Sequence, residues 1–429
     1  MNPLALSLND ELNRSNPIVL DMLSDLGKSM YYPKGILTQS AEAKSADYNA
    51  TIGMATTKNG KMYAASLYDM FNDMSTDEVF GYAPPQGMEP LRQLWRDKML
   101  KENPELSEET ISMPVVTNAL THGLSLVGDL FINENDVVLL PHHNWGNYKL
   151  VFSVRQKANI ETYPIFDEDG HFTTDGLINK LEEVTQEKVI MVLNYPNNPT
   201  GYTPTQSEVQ KMVSAIDQLG QRGVNVVVAV DDAYYGLFFE EVYTQSIFTA
   251  LTQLDNPHVL PVRLDGATKE FFAWGFRVGF MTFGLSDDST KAILEAKLKG
   301  LIRSNNSSGA SPSQAAVQHV LKNHDKFDHE IQQNIETLRA RYEVTKEIVY
   351  RDAYQSLWQP YDFNSGYFMA LQVKQVNAET LRQHLLEKYS IGIISLNDQD
   401  IRIAFSCIEK EDIEHVFNTI AQAIQELQS

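Results

Sequence analysis

The chain has 429 residues, 43% hydrophobic and 21% charged, an ordinary globular composition with room for two or three domains and a core that needs no metal or disulfide to fold. Its net charge of -21 sets it against nucleic acid and anionic membrane, because no basic patch offsets the repulsion. The single cysteine, Cys407, excludes an intrachain disulfide and fits a reducing compartment.

The first sixty or so residues read as an arm with part of a smaller domain. Residues 1–10 carry no basic lead and no long apolar run, so no secretion signal is expected. No apolar stretch approaches the ~20 residues of a membrane span; the expectation is a soluble, cytoplasmic protein. Residues 10–32 have helical spacing, with Leu20, Leu23 and Leu26 on one side. Gly53 sits in a small-residue turn, Ile52-Gly53-Met54. The breaker-rich loop 79–87 carries Tyr82, which either packs or reaches a site. A helix over 88–101 follows, with Leu91, Leu94, Trp95 and Met99 as its buried face.

From 114 to 230 apolar runs (137–140, 189–193, 224–230) alternate with helical patterns (122–131, 174–184, 205–219). Such alternation predicts a mostly parallel sheet covered by helices on both faces. Ligands in these sheets sit beyond the carboxyl ends of the strands. Polar clusters fall there: His142-His143-Asn144-Trp145, then Asn194-Tyr195-Pro196-Asn197-Asn198-Pro199-Thr200-Gly201, then Asp231-Asp232-Ala233-Tyr234. The second is a rigid turn that aims an amide side chain or is a turn and nothing more. Asp231 closes a fully apolar strand. Its carboxylate either seeks a cation, such as a protonated ring nitrogen, or caps a helix, and Asp232 competes for both roles.

Strands at 258–264 and 278–283 flank Asp265-Gly266-Ala267-Thr268-Lys269-Glu270-Phe271-Phe272. A lysine half-enclosed by apolar groups loses its proton more easily, because desolvation disfavours the ammonium. Such an amine condenses with an aldehyde cofactor; the alternative is a solvated loop lysine. Arg277, eight residues on, suits a bidentate grip on a dianionic phosphate. A helix over 286–303 and a breaker over 304–313 follow, and helical patterns then run over 314–350. The end reads strand, helix, strand, helix at 366–373, 378–388, 401–406 and 410–427, an α+β unit distinct from the central sheet. Arg402 lies on its second strand, facing either a carboxylate or the surface.

In combination, these motifs resemble the class I aminotransferases, pyridoxal-phosphate enzymes of the aspartate aminotransferase fold, over roughly residues 50 to 425. They are an Asn-Asn-Pro-Thr-Gly turn, an Asp-x-Ala-Tyr about thirty residues on, a lysine with an arginine eight beyond, and a terminal arginine strand. The resemblance implies a large α/β domain of the type I pyridoxal-phosphate transferase kind over 61–310, a smaller α+β domain over 311–429, and residues 1–60 as arm and part of the small domain.

It also implies roles. Lys269 matches the lysine that binds the cofactor aldehyde and shuttles the proton, Asp231 the partner of the pyridine nitrogen, and Asn198 and Tyr234 the donors to the ring's phenolate oxygen. Trp145 matches the aromatic stacked on the ring. Arg277 and the turn Ala119-Leu120-Thr121 match the phosphate site, with Tyr82 reaching it from a second subunit of a homodimer. Arg402 resembles the binder of the substrate α-carboxylate, with Gly53 beside it. Arg303 resembles a grip on a distal carboxylate across the dimer, which would favour aspartate or glutamate, or else it only caps its helix. Tyr367 lines the side-chain pocket or packs its strand.

Two positions depart from the family: Ala119 where glycine or serine is frequent, and Gly266 where a serine precedes the lysine by three. Thr268 is the candidate substitute hydroxyl. The implied reaction is amino transfer between an L-amino acid, aspartate or glutamate or else an aromatic one, and a 2-oxo acid by a ping-pong route. A lyase or decarboxylase on the same fold, and a pyridoxal-phosphate-binding regulator, are the alternatives. The regulator would carry a basic DNA-binding domain, which is not expected in this acidic chain. No metal, nucleic acid or membrane is implied.

Overall fold

A computed structural model describes residues 1–33 and 35–428. Seven strands build the central sheet: β1 (Val115–Asn118), β2 (Val137–Pro141), β3 (Asn159–Tyr163), β4 (Lys188–Asn194), β5 (Asn225–Asp231), β6 (Val259–Gly266) and β7 (Val278–Phe283). Their spatial order is β1-β7-β6-β5-β4-β2-β3. Strands β2 to β6 run parallel, and β7 alone runs antiparallel, to both β6 and β1.

The Val/Ile/Leu-rich runs of β4 and β5 are buried on both faces, as strands between two helical layers must be. Their register sets Asn194 opposite Asp231, and Asp231 opposite Leu264 of β6, two residues before that strand ends. The polar residues therefore come out together along one carboxyl edge.

A second, antiparallel sheet joins β8 (Trp358–Pro360), β9 (Met369–Val373), β10 (Ile394–Ser395) and β11 (Asp400–Ile403) in the order β8-β9-β11-β10. Helix Ile413–Gln428 packs on helices Ala378–Tyr389 and His324–Val349 beside it. The early chain is stitched onto this unit. Tyr48–Asn49 pairs in parallel with Ile391–Gly392, and the Ala404 amide donates to the Ala50 carbonyl at 2.9 Å. No helix among the described residues is long and apolar enough to cross a membrane.

Several elements differ from the sequence expectation. Strands β1, β3, β8 and β10 are additional; β3 is a half-exposed edge strand and β8 ends on Pro360, so neither shows a full apolar run. The helix expected over 10–32 is instead Pro3–Ser15, Pro17–Met22 and Asp25–Ser29. Pro17 cannot donate an amide to the preceding turn, and the Asn16 side chain accepts from the Val19 amide to start a new helix. Leu20 and Leu23 end half-buried and Leu26 exposed, so the three share no buried face. Leu94 of helix Glu89–Glu102 is likewise only half-buried, while Leu91, Trp95 and Met99 are buried as expected. The pattern over 314–350 is two helices, Ser311–Lys322 and His324–Val349, divided at Asn323.

Candidate active site

A cavity of about 400 Å³ opens at the carboxyl edge of the central sheet, where that edge faces β9 and β11. Lys269 stands on a four-residue helical turn, Ala267–Glu270, directly after β6. Phe271 and Phe272 are buried behind it, and the Tyr367 hydroxyl donates to the Lys269 carbonyl at 3.3 Å. The Lys269 amine lies 4.8 Å from the centre of the Tyr234 ring. Burial lowers its pKa to about 8, against the pull of Asp231, with Arg277 lowering it further.

Asp231 is buried at the end of β5. Its Oδ2 accepts from the Tyr148 hydroxyl at 2.6 Å and its Oδ1 from the Ala233 amide at 3.1 Å. Burial raises its pKa, and these donors and Lys269 pull the other way. Asp232 turns out of the cavity and accepts from Arg263 Nε at 2.7 Å, so only Asp231 of the pair lines the cavity. The Asn194 side chain donates to the Asp231 carbonyl at 2.9 Å and accepts from the Asn198 amide at 2.9 Å, bracing the Asn-Asn-Pro-Thr-Gly turn against β5.

At another end of the cavity, helix Ala119–Phe131 begins with no side-chain cap on its first turn. Ala119, Leu120 and Thr121 line the cavity there, with Thr268 and Arg277. Uncapped first-turn amides and the helix dipole suit an anion. The Thr268 Oγ1 is buried with no hydrogen-bond partner. Ala119 and Arg277 are both left-handed, with φ of 61° and 57°, and the Ala119 amide donates to the Arg277 carbonyl at 3.0 Å. Non-glycine residues in that region cost roughly 1–3 kcal/mol each and cluster where a ligand is gripped. The absence of a serine at Gly266 has a steric reason: a Cβ there would lie 2.6 Å from the Val278 carbonyl oxygen and 2.7 Å from Gly279 Cα.

Arg402 enters from β11. Its Nη1 donates to Asn198 Oδ1 at 3.1 Å and its Nη2 to the Thr51 carbonyl at 2.7 Å, while its guanidinium carbon lies 4.1 Å from the centre of the Phe368 ring. Burial lowers its pKa to about 10, so it stays cationic near neutrality, and its Nε is buried without a partner. Gly53 lies against the Tyr234 hydroxyl, which an added Cβ would approach to 3.4 Å.

Of the residues singled out from sequence, Gly53, Ala119, Leu120, Thr121, Trp145, Asn198, Asp231, Tyr234, Thr268, Lys269, Arg277 and Arg402 all line this one cavity. Three do not. Tyr82 is 96% exposed, Arg303 is exposed with Nη1 donating to Ser307 Oγ of its own loop, and Tyr367 is fully buried edge-on to Tyr234. Sequence reasoning missed Tyr148, Asn194, Trp274, Ile36, Met54 and Phe368. Tyr148 stands three residues past Trp145 and packs edge-on to it with ring centres 5.6 Å apart, a spacing legible as one turn of helix.

This donor set fits a phosphorylated pyridine aldehyde. It offers an uncapped helix start and an orphan hydroxyl for a phosphate, a buried carboxylate for a ring cation, and an amine of lowered pKa for a carbonyl carbon.

Residues 56–420 match the family model for aminotransferase class I and II. The cytoplasmic aspartate aminotransferase of Caenorhabditis elegans is 21% identical over 402 residues, spanning 90% of this chain and 94% of that protein. Among solved structures, an aminotransferase from Anaerococcus prevotii superposes with a TM-score of 0.82 at 20% identity, covering 93% of this chain and 97% of its own. The kynurenine aminotransferase of Pyrococcus horikoshii, solved in complex with PMP, superposes with a TM-score of 0.79 at 16% identity over 95% and 98%.

Proposed function

The chain belongs to the class I and II aminotransferases and is a pyridoxal-phosphate-dependent transaminase; from that premise we propose which residues carry its reaction. The observation behind the assignment is the Lys269 amine, its pKa lowered to about 8 by burial, set in one cavity with the Asp231 carboxylate and the Arg402 guanidinium.

Pyridoxal phosphate, when bound, supplies an electron sink for charge that develops at the substrate Cα. Asp231 would hold the pyridine nitrogen protonated, with Tyr148 fixing the carboxylate's orientation. Tyr234 and Asn198 would face the phenolate oxygen and Trp145 the ring. The Asn198 oxygen is already taken by Arg402, which leaves its amide NH2 to donate. The amides of Leu120 and Thr121 at the helix start beside Ala119, Thr268 Oγ1 and Arg277 would hold the phosphate.

Lys269 does the proton work. With a pKa near 8 roughly a tenth of this amine is neutral at pH 7, against less than a thousandth of an ordinary lysine. It would take the proton from the substrate Cα as base and give it back as acid on the far side of the substrate nitrogen, two atoms away. Arg402 takes the α-carboxylate through charge-assisted bonds, beside Gly53. A 2-oxo acid then accepts the amino group by the same steps reversed.

The working unit is a homodimer. Phe80, at the end of helix Thr76–Phe80, and Tyr82, two residues on, are 83% and 96% exposed, and neighbouring exposed aromatics of that kind mark a surface that another chain covers. Tyr82 would reach the phosphate end of a second copy's cavity. The domain division is 1–60 as arm and part of the small domain, 61–310 as the large domain and 311–429 as the small one, in keeping with two separate sheets. A cytoplasmic location fits the lone cysteine.

The test is amino transfer by the cofactor-loaded protein from a panel of amino acids to 2-oxo acids, with the bound cofactor followed by absorbance. Transfer that Lys269→Ala abolishes supports the reading. Release of ammonia or carbon dioxide without transfer overturns it in favour of a lyase or decarboxylase.

A further inference from the structure

The turn that carries Lys269 is too short to hold itself. It has four residues, Ala267–Glu270, and Gly266 starts it without a side-chain cap; a single helical turn is not stable in isolation. Helix Glu89–Glu102 grips it at both ends from behind. Trp95 and Lys98 lie three residues apart, and so on one face of that helix. They reach the two acids that bracket the turn. Trp95 Nε1 donates to Asp265 Oδ2 at 3.1 Å, ahead of the turn, and the Lys98 ammonium pairs with the Glu270 carboxylate at its end. Both anchors are themselves fixed. Trp95 is fully buried and stacks on Phe280 of β7 with ring centres 4.1 Å apart. The Lys98 ammonium also pairs with Glu102 of its own helix at 2.5 Å and lies 4.9 Å from the centre of the Trp95 ring.

Glu270 follows Lys269 in the chain but points the other way. It lines a separate cavity of about 580 Å³ behind the turn, with Lys98, Glu102 and Phe271, whereas Lys269 lines the cavity described above. The Lys98 and Glu270 side chains are each 13% exposed, so water and salt screen the pair little. A carboxylate so placed keeps to its cation, because an unpaired buried charge is costly.

We propose that Lys98 is a positioning residue for amino transfer: by holding Glu270 on the far side of the turn, it aims the Lys269 amine at the substrate Cα. The inference rests on the role given to Lys269 above and adds a residue to it. Lys269 has to reach two points, first as base and then as acid, so its travel is set by where its backbone is held. A turn released from helix Glu89–Glu102 would still carry the amine on a flexible four-carbon stem, but in the productive place for a smaller share of the time. The loss falls on proton transfer and spares substrate binding.

The experiment compares cofactor-loaded wild type with Lys98→Met, Lys98→Arg, Glu270→Met and Lys98→Met/Glu270→Met. Methionine keeps an unbranched stem against Trp95 and removes the charge. The readouts are kcat and KM for an amino donor that wild type uses, with hydrogen or deuterium at Cα, the visible circular dichroism of the bound cofactor, and the melting temperature. Lys98→Met should lower kcat roughly ten- to a hundredfold and leave KM within about threefold of wild type. Its Cα isotope effect should be at least that of wild type, and the cofactor's circular dichroism should change at unchanged occupancy. Lys98→Arg keeps the cation and should recover kcat to within about threefold of wild type. The double variant should be slower than Lys98→Met by no more than about twofold, since both break one tie.

Wild-type kcat and circular dichroism in Lys98→Met, whatever its melting temperature, overturn the inference, because the pair is then structural only. A lowered kcat with a smaller isotope effect, or a double variant in which the two single losses multiply, overturns it as well. Should Lys98→Met fail to fold, Glu270→Met is read in its place, since it leaves Lys98 paired with Glu102; wild-type kcat there overturns the inference. All these outcomes leave the role of Lys269 intact. Amino transfer that survives Lys269→Ala overturns that role and this inference together.

Discussion

The Tyr148 hydroxyl and the Asp231 carboxylate meet at 2.6 Å inside the cavity, joining the turn after β2 to the end of β5. Both side chains are buried, so this bond and the Ala233 amide are what hold a desolvated carboxylate in place. A hydrogen bond to a charged group contributes about 1.5–3 kcal/mol. Tyr148→Phe should therefore lower kcat/KM roughly ten- to a hundredfold without unfolding the protein. Burial already raises the Asp231 pKa and the Tyr148 bond opposes that rise, so the acid limb of the pH profile should move to higher pH. A pH–rate profile with an unmoved acid limb would show that Tyr148 only packs.

Lys269 should trade stability for chemistry. Its folded pKa of about 8 lies below the ordinary 10.5, so between those values the unfolded chain binds more protons than the folded one. Cofactor-free protein should then gain stability as pH rises through that window, and the buried ammonium should cost stability at pH 7. Lys269→Met removes that cost. The expected outcome is a melting temperature at pH 7 above wild type, by on the order of 1–3 kcal/mol in stability, together with loss of amino transfer and of borohydride fixation of the cofactor. Calorimetry of the cofactor-free proteins at pH 7 and pH 10 checks the sign.

Arg402→Lys should behave as a loss, not a conservative change. The guanidinium spans Asn198 Oδ1 and the Thr51 carbonyl while presenting a further donor edge, and an ammonium cannot reproduce that fork. KM for the amino donor should rise about a hundredfold with a smaller change in kcat, measured by steady-state kinetics.

The phosphate end separates two hydroxyl positions. Thr268→Val removes an orphan buried hydroxyl and should weaken cofactor affinity about tenfold in a titration of the cofactor-free protein. Gly266→Ser adds a hydroxyl where the Cβ meets backbone at 2.6 Å. It should destabilise the fold by about 1–3 kcal/mol and gain no affinity. Tighter cofactor binding by Gly266→Ser would refute the steric account.

The exposed Phe80 and Tyr82 side chains should be covered in solution. Sedimentation velocity should show a dimer, and Tyr82→Ala should weaken cofactor binding while Tyr82→Phe does so less. A monomer with full activity would contradict this.

Much of the site was legible because parallel strands end where ligands bind. Asp231 ends an apolar strand, Asn198 and Lys269 follow theirs by a few residues, and Arg402 lies within an alternating one, so pattern and residue type sufficed. Tyr148 escaped notice because what defines it is a bond to a residue 83 positions away, set by the β2, β4 and β5 order and not by local pattern. Ile36 and Met54 escaped for the opposite reason: an apolar residue in an early segment looks like packing until a cavity forms over it. Strands β3 and β8 were invisible because an edge position removes the continuous apolar run that marks a central strand. The early helix differs because Asn16-Pro17 and Ser24 each open a new short helix, so Leu20, Leu23 and Leu26 fall on no common one.

The bond from Arg402 Nη2 to the Thr51 carbonyl spans 351 positions of chain. Synthesis runs from one end, so each residue proposed to touch the cofactor, Tyr82 through Arg277, leaves the ribosome well before Arg402 does. On that proposal the growing polypeptide would own the makings of a vitamin-holding chamber while still blind to amino acids. Recognition would then arrive with β11, when Arg402 reaches back to clasp Thr51.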